Sequence, residues 1–579
     1  MAMHAAAVLT AVATASSAAK QPHLVLMVLD DMGWSDVGFH GSGSNFPTPQ
    51  LDSLAANGVI LDKYYVQQVC SPTRSALMTG RYPFKTGLQH TTTLVPGTSA
   101  AIPKNTSTIA EVLKGAGYAT HAIGKWHLGM KSWSDTPLGR GFDSWAGYLN
   151  GAIDYYTHKT TFQDGMDLWR NKTAAWDVQT YGKHTTEFYM EEAQRVLDNH
   201  DASNPLFVYF AHQLIHNPHE QPPDAASKAA CAKENASSPI GEWATTARRT
   251  LCTMTSEVDT AVGEFVQMLE AKGMWNDTIL WVTTDNGGMT TGPRWSKDDV
   301  SNRAWSTASN FPLRGGKTTL FEGGVRGVSF VTGGANVFPA AARGQTRQGN
   351  EHLMQHVDVP ATMASLAGAE WGDSTAVDGL DVWDTITTGT PSPRDEVPVN
   401  VDTCVGAPTG GWPCGKDKVF NALISKDGYK LIEANFVPQN CPTNITWCTG
   451  NGLYDGWWSN DPYTHTLPNA TTQGPMPDSG ILNGGIWLFN LTADPNELLN
   501  IAASNTAVVL KMRARLNELA NPKNGYTIPQ TNLPSPLSFP ILHNDTWAPF
   551  VGEEEHDTRM TLEEAEEAIE VLASGPSWD

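Results

Sequence analysis

Cys70-Ser71-Pro72-Thr73-Arg74, running on through Ser75 to Gly80 and Arg81, is the stretch on which the reading of this chain turns. It has the form C-x-P-x-R, then three residues, then Met78-Thr79-Gly80. Pro72 suits the first turn of a helix, where a missing N–H costs little. The spacing places Cys70 just before the helix N-terminus, where backbone N–H groups gather an anion. Arg74 falls about one helical turn further on, so its guanidinium can fold back on the same spot. The plainer reading is a buried cysteine ahead of an ordinary helix. The functional one is a nucleophile and a cation aimed at an anion.

Upstream, His23 to Leu29 is a continuous apolar run, as in a buried parallel strand, and it ends in Asp30-Asp31-Met32-Gly33. A helix cap needs one acid, whereas two adjacent carboxylates at a strand end suit a hard cation. Pro47 to Gly58 reads as a helix, and Val59 to Tyr65 as a strand leading into Cys70. Downstream, Ser107 caps a helix to Gly117, and the strand Tyr118 to Ile123 runs into Gly124-Lys125-Trp126-His127. Two residues apart in an extended segment, Lys125 and His127 point to one side.

Thr186 to His200 is helical, and the strand Pro205 to Ala211 precedes His212, His216 and His219. These lack the i, i+4 pair beside a glutamate that marks zinc. The helix Glu242 to Lys272 carries Leu251, Met254, Val258, Val262, Phe265 and Leu269 as a core-facing stripe. The strand Thr278 to Thr283 leads to Thr284-Asp285-Asn286-Gly287-Gly288, two oxygen donors followed by a turn. Lys317 lies in a basic, glycine-rich loop before the strand Val328 to Thr332, and Val359 to Ala367 is helical. Lys317 reads as an anion contact.

Strands alternate with helices through most of the first 390 residues, which argues an α/β domain. Polar clusters follow the strands, and in an open α/β sheet strand ends share one ligand-binding edge. Asp30, Asp31, Asp285 and Asn286 are all oxygen donors, so Ca²⁺ fits, Mg²⁺ less well, and zinc not at all. Composition shifts to Pro, Ser, Thr and Gly near Thr385 to Pro398. This gives the expected division: 1–19 signal peptide, 20–395 catalytic domain, 396–545 smaller domain with short strands and the helix Thr506 to Ala520, and 546–579 acidic helical tail.

Residues Ala5 to Ala19 resemble a secretory signal, and no other apolar run is long enough for a transmembrane segment. Sequons at Asn105, Asn171, Asn235, Asn276, Asn444, Asn469, Asn490 and Asn544 fit a glycosylated secretory protein, extracellular or lysosomal. The formal net charge of −22 argues against a nucleic-acid partner.

The Cys70 segment resembles the signature of the type I sulfatases, whose cysteine is oxidised to formylglycine (3-oxoalanine), an aldehyde. The resemblance extends to Val28–Gly33, Thr48-Pro49-Gln50-Leu51-Asp52, Gly124–Gly129 and Thr284–Gly288. Pro312 to Gly327 and the late Leu488-Phe489-Asn490-Leu491-Thr492-Ala493-Asp494-Pro495 look most like the arylsulfatase B (N-acetylgalactosamine-4-sulfatase) branch. It implies an alkaline-phosphatase-like large domain, a mixed, mostly parallel sheet sandwiched by helices, with a smaller C-terminal α+β domain.

The family further implies hydrolysis of sulfate esters on sulfated carbohydrates, and maturation by a formylglycine-generating enzyme. Hydrated formylglycine at Cys70 would attack sulfur, and Ca²⁺ on Asp30, Asp31, Cys70, Asp285 and Asn286 would bind a sulfate oxygen. Arg74, Lys125 and Lys317 would neutralise the sulfuryl group. His216 would protonate the leaving alcohol, and His127 would take the proton that restores the aldehyde. Tyr156-Thr157-His158 resembles a Tyr-Ser-His segment, with Thr157 as a substrate-side hydroxyl. Lys125, His216 and Lys317 would also touch substrate.

With Cys70 converted, six cysteines remain, an even set that suits disulfides. Cys231 with Cys252 is the simplest pair, and Cys404, Cys414, Cys441 and Cys448 allow three connectivities. The acidity does not exclude a sulfated polymer, because the local field of the cleft governs capture. Two alternatives share these features: a phosphomonoester or phosphonate-ester hydrolase of the same fold, and an inactive glycan-binding relative.

Overall fold

The computed structural model describes residues 20–40, 46–89, 94–160, 165–175, 180–232, 242–289, 308–372, 377–403, 419–434, 485–530 and 534–551. The expected signal peptide, the four late cysteines and the helix of the acidic tail lie outside these residues. The strands are, in chain order, β1 (His23–Leu29), β2 (Val59–Leu61), β3 (Tyr64–Tyr65), β4 (Ala119–Lys125), β5 (Ser144–Tyr148), β6 (Trp169–Arg170), β7 (Thr173–Ala174) and β8 (Leu206–His212). They continue with β9 (Thr278–Thr284), β10 (Ser329–Gly333), β11 (Gln345–Arg347), β12 (Met354–Gln355), β13 (Glu396–Asn400), β14 (Phe420–Ser425), β15 (Tyr429–Ala434) and β16 (Gly485–Asn490).

Ten strands form one sheet in the order β11-β2-β10-β9-β1-β8-β4-β5-β6-β7. β1 sits at its centre, parallel to both β8 and β9, with Leu29 opposite His212 on one side and Thr284 on the other. β10 runs antiparallel between β9 and β2, so the sheet is mixed. All seven residues of β1 are buried, because alternate side chains enter two different cores. Val25, Met27 and Leu29 pack with residues of the helices Thr185–Asn199 and Glu242–Ala271. Leu24, Leu26 and Val28 pack with residues of the helices Ile109–Gly115 and Asp358–Leu366. The expected stripe from Leu251 to Leu269 lies in the first core.

Several local expectations are corrected. Thr108, not Ser107, caps its helix, because Glu111 three residues on completes a reciprocal capping box. The expected strand Val59 to Tyr65 is two short strands that pair with different partners. The smaller antiparallel sheet, β13-β14-β15-β16, packs one face on Leu320, Phe321 and Val325. Its other face takes Val509, Met512 and Leu516 of the helix Thr506–Leu519. Cys231 and Cys252 form a disulfide with a Cα–Cα distance of 5.8 Å, and Cys70 is a free, buried thiol. Asn105, Asn171, Asn276 and Asn544 are exposed, whereas Asn490 is half-buried, its Oδ1 accepting from the Thr492 and Ala493 N–H groups.

Candidate active site

Cys70 is the first residue of the helix Cys70–Thr79 rather than the residue before it, with Val69 extended as the cap. Pro72 lies in the first turn, where no intrahelical partner is lost. All ten residues of the helix are buried, and Gly80 ends it at φ 63°. Thr73 Oγ1 accepts the Gln67 N–H at 2.9 Å and donates to the Asp285 carbonyl, which ties the helix to the end of β9. Cys70 Sγ lies 3.8 Å from Asp30 Oδ1. Burial pushes its thiol up to about 12 despite the Lys125 and Lys317 charges, so an unmodified Cys70 is a neutral thiol and a poor nucleophile.

Three carboxylates and three cations surround it, delivered by the ends of β1, β4 and β9, the Cys70 helix and the loop before β10. Lys125 Nζ stands 2.7 Å from Asp30 Oδ2, with Arg74 Nη2 at 3.2 Å from the same oxygen. Arg74 Nε and Nη2 also donate to Asp285 Oδ2 at 3.0 and 2.8 Å. Lys317 Nζ donates to Asp31 Oδ1 at 2.6 Å, and its backbone N–H bonds to Gly288 O. Burial raises the Asp30 carboxyl, but Lys125, His216 and Arg74 more than offset this and hold it below the usual range. Burial also raises Asp31, and there Lys317 and His216 prevail and hold it low.

Asp30, Asp31, Cys70 and His216 each offer a ligand atom within 4.8 Å of the others. Asp285 is turned to Arg74, and its Oδ1 accepts the Asp31 N–H at 3.3 Å. Asn286 Nδ2 donates to Asp31 Oδ1 at 2.7 Å, and its Oδ1 is buried without a hydrogen-bond partner among the described residues. An orphaned carbonyl oxygen among three carboxylates is the donor set of a hard cation, and on this observation the residues fit Ca²⁺. A Cβ at Gly287 would lie 1.8 Å from Gly323 O, so a side chain there would drive the Asn286 turn from the loop that carries Lys317.

The two histidines differ in how they are held. His216 N–H bonds to Gln213 O, and its Nδ1–H donates to Asn217 O at 2.6 Å, with Nε2 3.9 Å from Asp31 Oδ2. Tyr155 OH donates to His216 O at 2.6 Å. Sequence reasoning passed over Tyr155, although it stands two residues before Thr157. His127 is not in an extended segment: it lies two residues past the end of β4 with a left-handed φ of 56°, so a strand's two-residue alternation does not set its direction. Its Nε2–H donates to Leu94 O at 2.8 Å, and Nδ1 is buried with no hydrogen-bond partner among the described residues. Burial and the Lys125 charge hold this imidazole neutral, with its pKa well below the ordinary value. Thr157 bonds through its N–H to Asp154 Oδ1 at 2.8 Å.

Residues 22–369 match the family model described as Sulfatase. The chain belongs to the sulfatase family. It is a type I sulfatase, a sulfuric ester hydrolase. The sulfatase is 34% identical to mouse arylsulfatase J over 542 residues, 92% of this chain and 81% of that one. It is 28% identical to human arylsulfatase A, covering 88% and 89% of the two chains. With pig N-acetylgalactosamine-6-sulfatase it shares 30% identity, over 63% of this chain and 66% of the relative. The fold matches the crystal structure of Ps i-CgsB in complex with a neocarrahexaose, with TM-score 0.64, 23% identity, and 88% and 94% of the chains covered. It also matches the PsFucS1 sulfatase from Pseudoalteromonas sp., with TM-score 0.60, 22% identity, and 88% and 92% coverage.

Proposed function

We propose that the sulfatase releases sulfate from sulfated sugars or polysaccharides, with Cys70 converted to formylglycine and Ca²⁺ held by Asp30, Asp31, Cys70, Asp285 and Asn286. The observation that carries this reading is the buried match of three carboxylates to three cations around Cys70. A divalent cation added to a balanced set leaves the pocket positive, the sign that a sulfate ester needs. The raised thiol pKa supports conversion, because the unmodified side chain offers no thiolate at neutral pH. The hydrated aldehyde would supply the hydroxyl nucleophile, and Ca²⁺ would polarise a sulfate oxygen.

The chain's own residues do the rest. Arg74, Lys125 and Lys317 neutralise the charge that gathers on the sulfuryl oxygens. His216, anchored at Nδ1, presents Nε2 to protonate the leaving alcohol. His127, anchored at Nε2, keeps Nδ1 as a free base for the proton that must leave Cys70's second hydroxyl. Thr157 is assigned to the substrate side on its resemblance to the family's Tyr-Ser-His segment alone. The names of the pig relative and of the complexed Ps i-CgsB support a sugar substrate.

The reading includes the division 1–19, 20–395, 396–545 and 546–579, passage through the secretory route to the lysosome or outside, and maturation by a formylglycine-generating enzyme. Among the described residues no helix is long and apolar enough to cross a membrane. The test is mass spectrometry of the tryptic peptide Tyr64–Arg74 from a secretory host, paired with hydrolysis of sulfate and phosphate esters of one phenol. A hydrazide-reactive peptide lighter than the cysteine form, with the sulfate ester turned over faster, is expected. An unmodified thiol from a host that converts other sulfatases would overturn the proposed nucleophile.

A further inference from the structure

The late motif ending in Asp494-Pro495 has no part in the chemistry above, yet Glu497, two residues beyond it, reaches the loop that carries Lys317. Glu497 O accepts from Arg314 Nη1 at 2.9 Å, three residues before Lys317. The Arg314 guanidinium lies 4.2 Å over the Phe321 ring. Glu497 Oε2 accepts the Glu322 N–H at 2.6 Å, five residues after Lys317 and at the start of the short helix Glu322–Val325. One glutamate therefore grips the loop on both sides of Lys317.

The grip is electrostatic as well. Lys430, on β15, places Nζ 2.9 Å from Glu322 Oε1 and 2.9 Å from Glu497 Oε1, and all three side chains have zero exposure. Arg326 Nη1 is 3.7 Å from Glu322 Oε2, and Tyr65 OH donates to the same oxygen at 3.1 Å. Two buried carboxylates this close need the ammonium between them, because neither has water to fall back on. Between the gripped ends, Thr318 adopts φ 76°, a conformation that a β-branched residue holds only where its surroundings enforce it.

We propose that Glu497 and Lys430 are positioning residues for Lys317: the smaller sheet holds the loop so that the Lys317 ammonium stays on Asp31. The role of Lys317 in the reaction rests on the function proposed above, whereas the clamp itself does not. Removing Lys430 alone leaves Glu322 and Glu497 facing each other. Removing the Glu497 charge as well leaves Glu322 paired with Arg326, which restores the balance.

The test reads Lys317 directly. Acetic anhydride labelling of the full-length protein, quantified by mass spectrometry against the exposed Lys523, reports the freedom of Lys317, whose side chain is only 7% exposed. Lys430→Met is expected to raise Lys317 labelling at least fivefold and to raise KM for an aryl sulfate more than it lowers kcat. Lys430→Met/Glu497→Gln is expected to return both toward wild type. Labelling within twofold of wild type in a folded Lys430→Met protein would overturn the clamp. So would a double variant no better than the single one. If Lys430→Met does not fold, Glu497→Leu, which deletes the acceptor of the Glu322 N–H, must raise labelling, and an unchanged value overturns the proposal. Wild-type protein that releases no sulfate while labelling follows this pattern would sink the proposed function and leave the clamp standing.

Discussion

Lys125 Nζ and Asp30 Oδ2 stand 2.7 Å apart, and neither side chain has any exposure. A charge pair so placed is kept from water by the fold and is aimed at the atoms around Cys70. Lys125→Ala is expected to lower kcat/KM for an aryl sulfate by about 100-fold or more, the scale of losing one preorganised charge contact. Asp30 keeps Arg74 at 3.2 Å, so the loss in stability should stay below the roughly 3–5 kcal/mol of a fully orphaned buried charge. Lys125→Arg should not restore the rate, since a planar fork cannot replace a point donor beside Arg74. Steady-state kinetics and thermal unfolding of the three proteins decide this, and a wild-type rate in Lys125→Ala would remove Lys125 from the charge-neutralising set.

Metal removal gives the second prediction. Dialysis against a chelator should abolish sulfate release, and Ca²⁺ should restore it. At 100 times its Kd the ion should also stabilise the fold by about 2.7 kcal/mol. Asn286→Ala deletes the orphaned Oδ1 and should weaken Ca²⁺ about tenfold in calorimetric titration. Unchanged affinity in that variant would exclude Asn286 as a ligand.

Much of this architecture was legible because continuous apolar runs with polar ends have few alternatives. His23–Leu29 could hardly be other than a strand buried on both faces, and Asp30-Asp31 at its end marked the ligand edge. What stayed hidden depends on contacts between distant segments. Nothing around Asp285 announces that its carboxylate is taken by Arg74, because 211 residues separate them. The left-handed backbone at His127, two residues past the end of β4, breaks the extended spacing on which a two-residue alternation rests, and neither Trp126 nor Leu128 is a glycine or proline that would signal it. Glu497 lay just past a recognised motif, and its partners come from two distant segments, the Lys317 loop and β15.

The histidines should respond differently to leaving groups. A nitrophenolate departs without much help, whereas a sugar alkoxide needs a proton as the bond breaks. His216→Ala is therefore expected to cost about 100-fold or more on a sugar sulfate and much less on nitrophenyl sulfate. His127→Ala should slow both substrates alike, because its free Nδ1 is assigned to a proton on Cys70 rather than on the leaving group. Paired kinetics on the two esters separate the roles, and equal losses in His216→Ala would argue that this residue binds rather than donates.

His356 sets a pH limit on stability far from the chemistry. It is fully buried, and its Nδ1–H donates to Tyr65 O at 3.1 Å, so the folded protein holds it neutral. Burial pushes its pKa down to about 3, opposed by that hydrogen bond and helped by the Arg394 charge. The unfolded chain takes up the proton near pH 6.5. With the folded value depressed, stability is complete above about 6.5 and is lost as pH falls from there toward 3. Between pH 7 and 5 this one residue should cost on the order of 2 kcal/mol. His356→Gln keeps an N–H for Tyr65 O but cannot titrate, so it should be less stable than wild type at pH 7 yet lose less on acidification. Urea unfolding of both proteins at the two pH values measures the difference, and parallel losses would show that His356 is not the group that titrates.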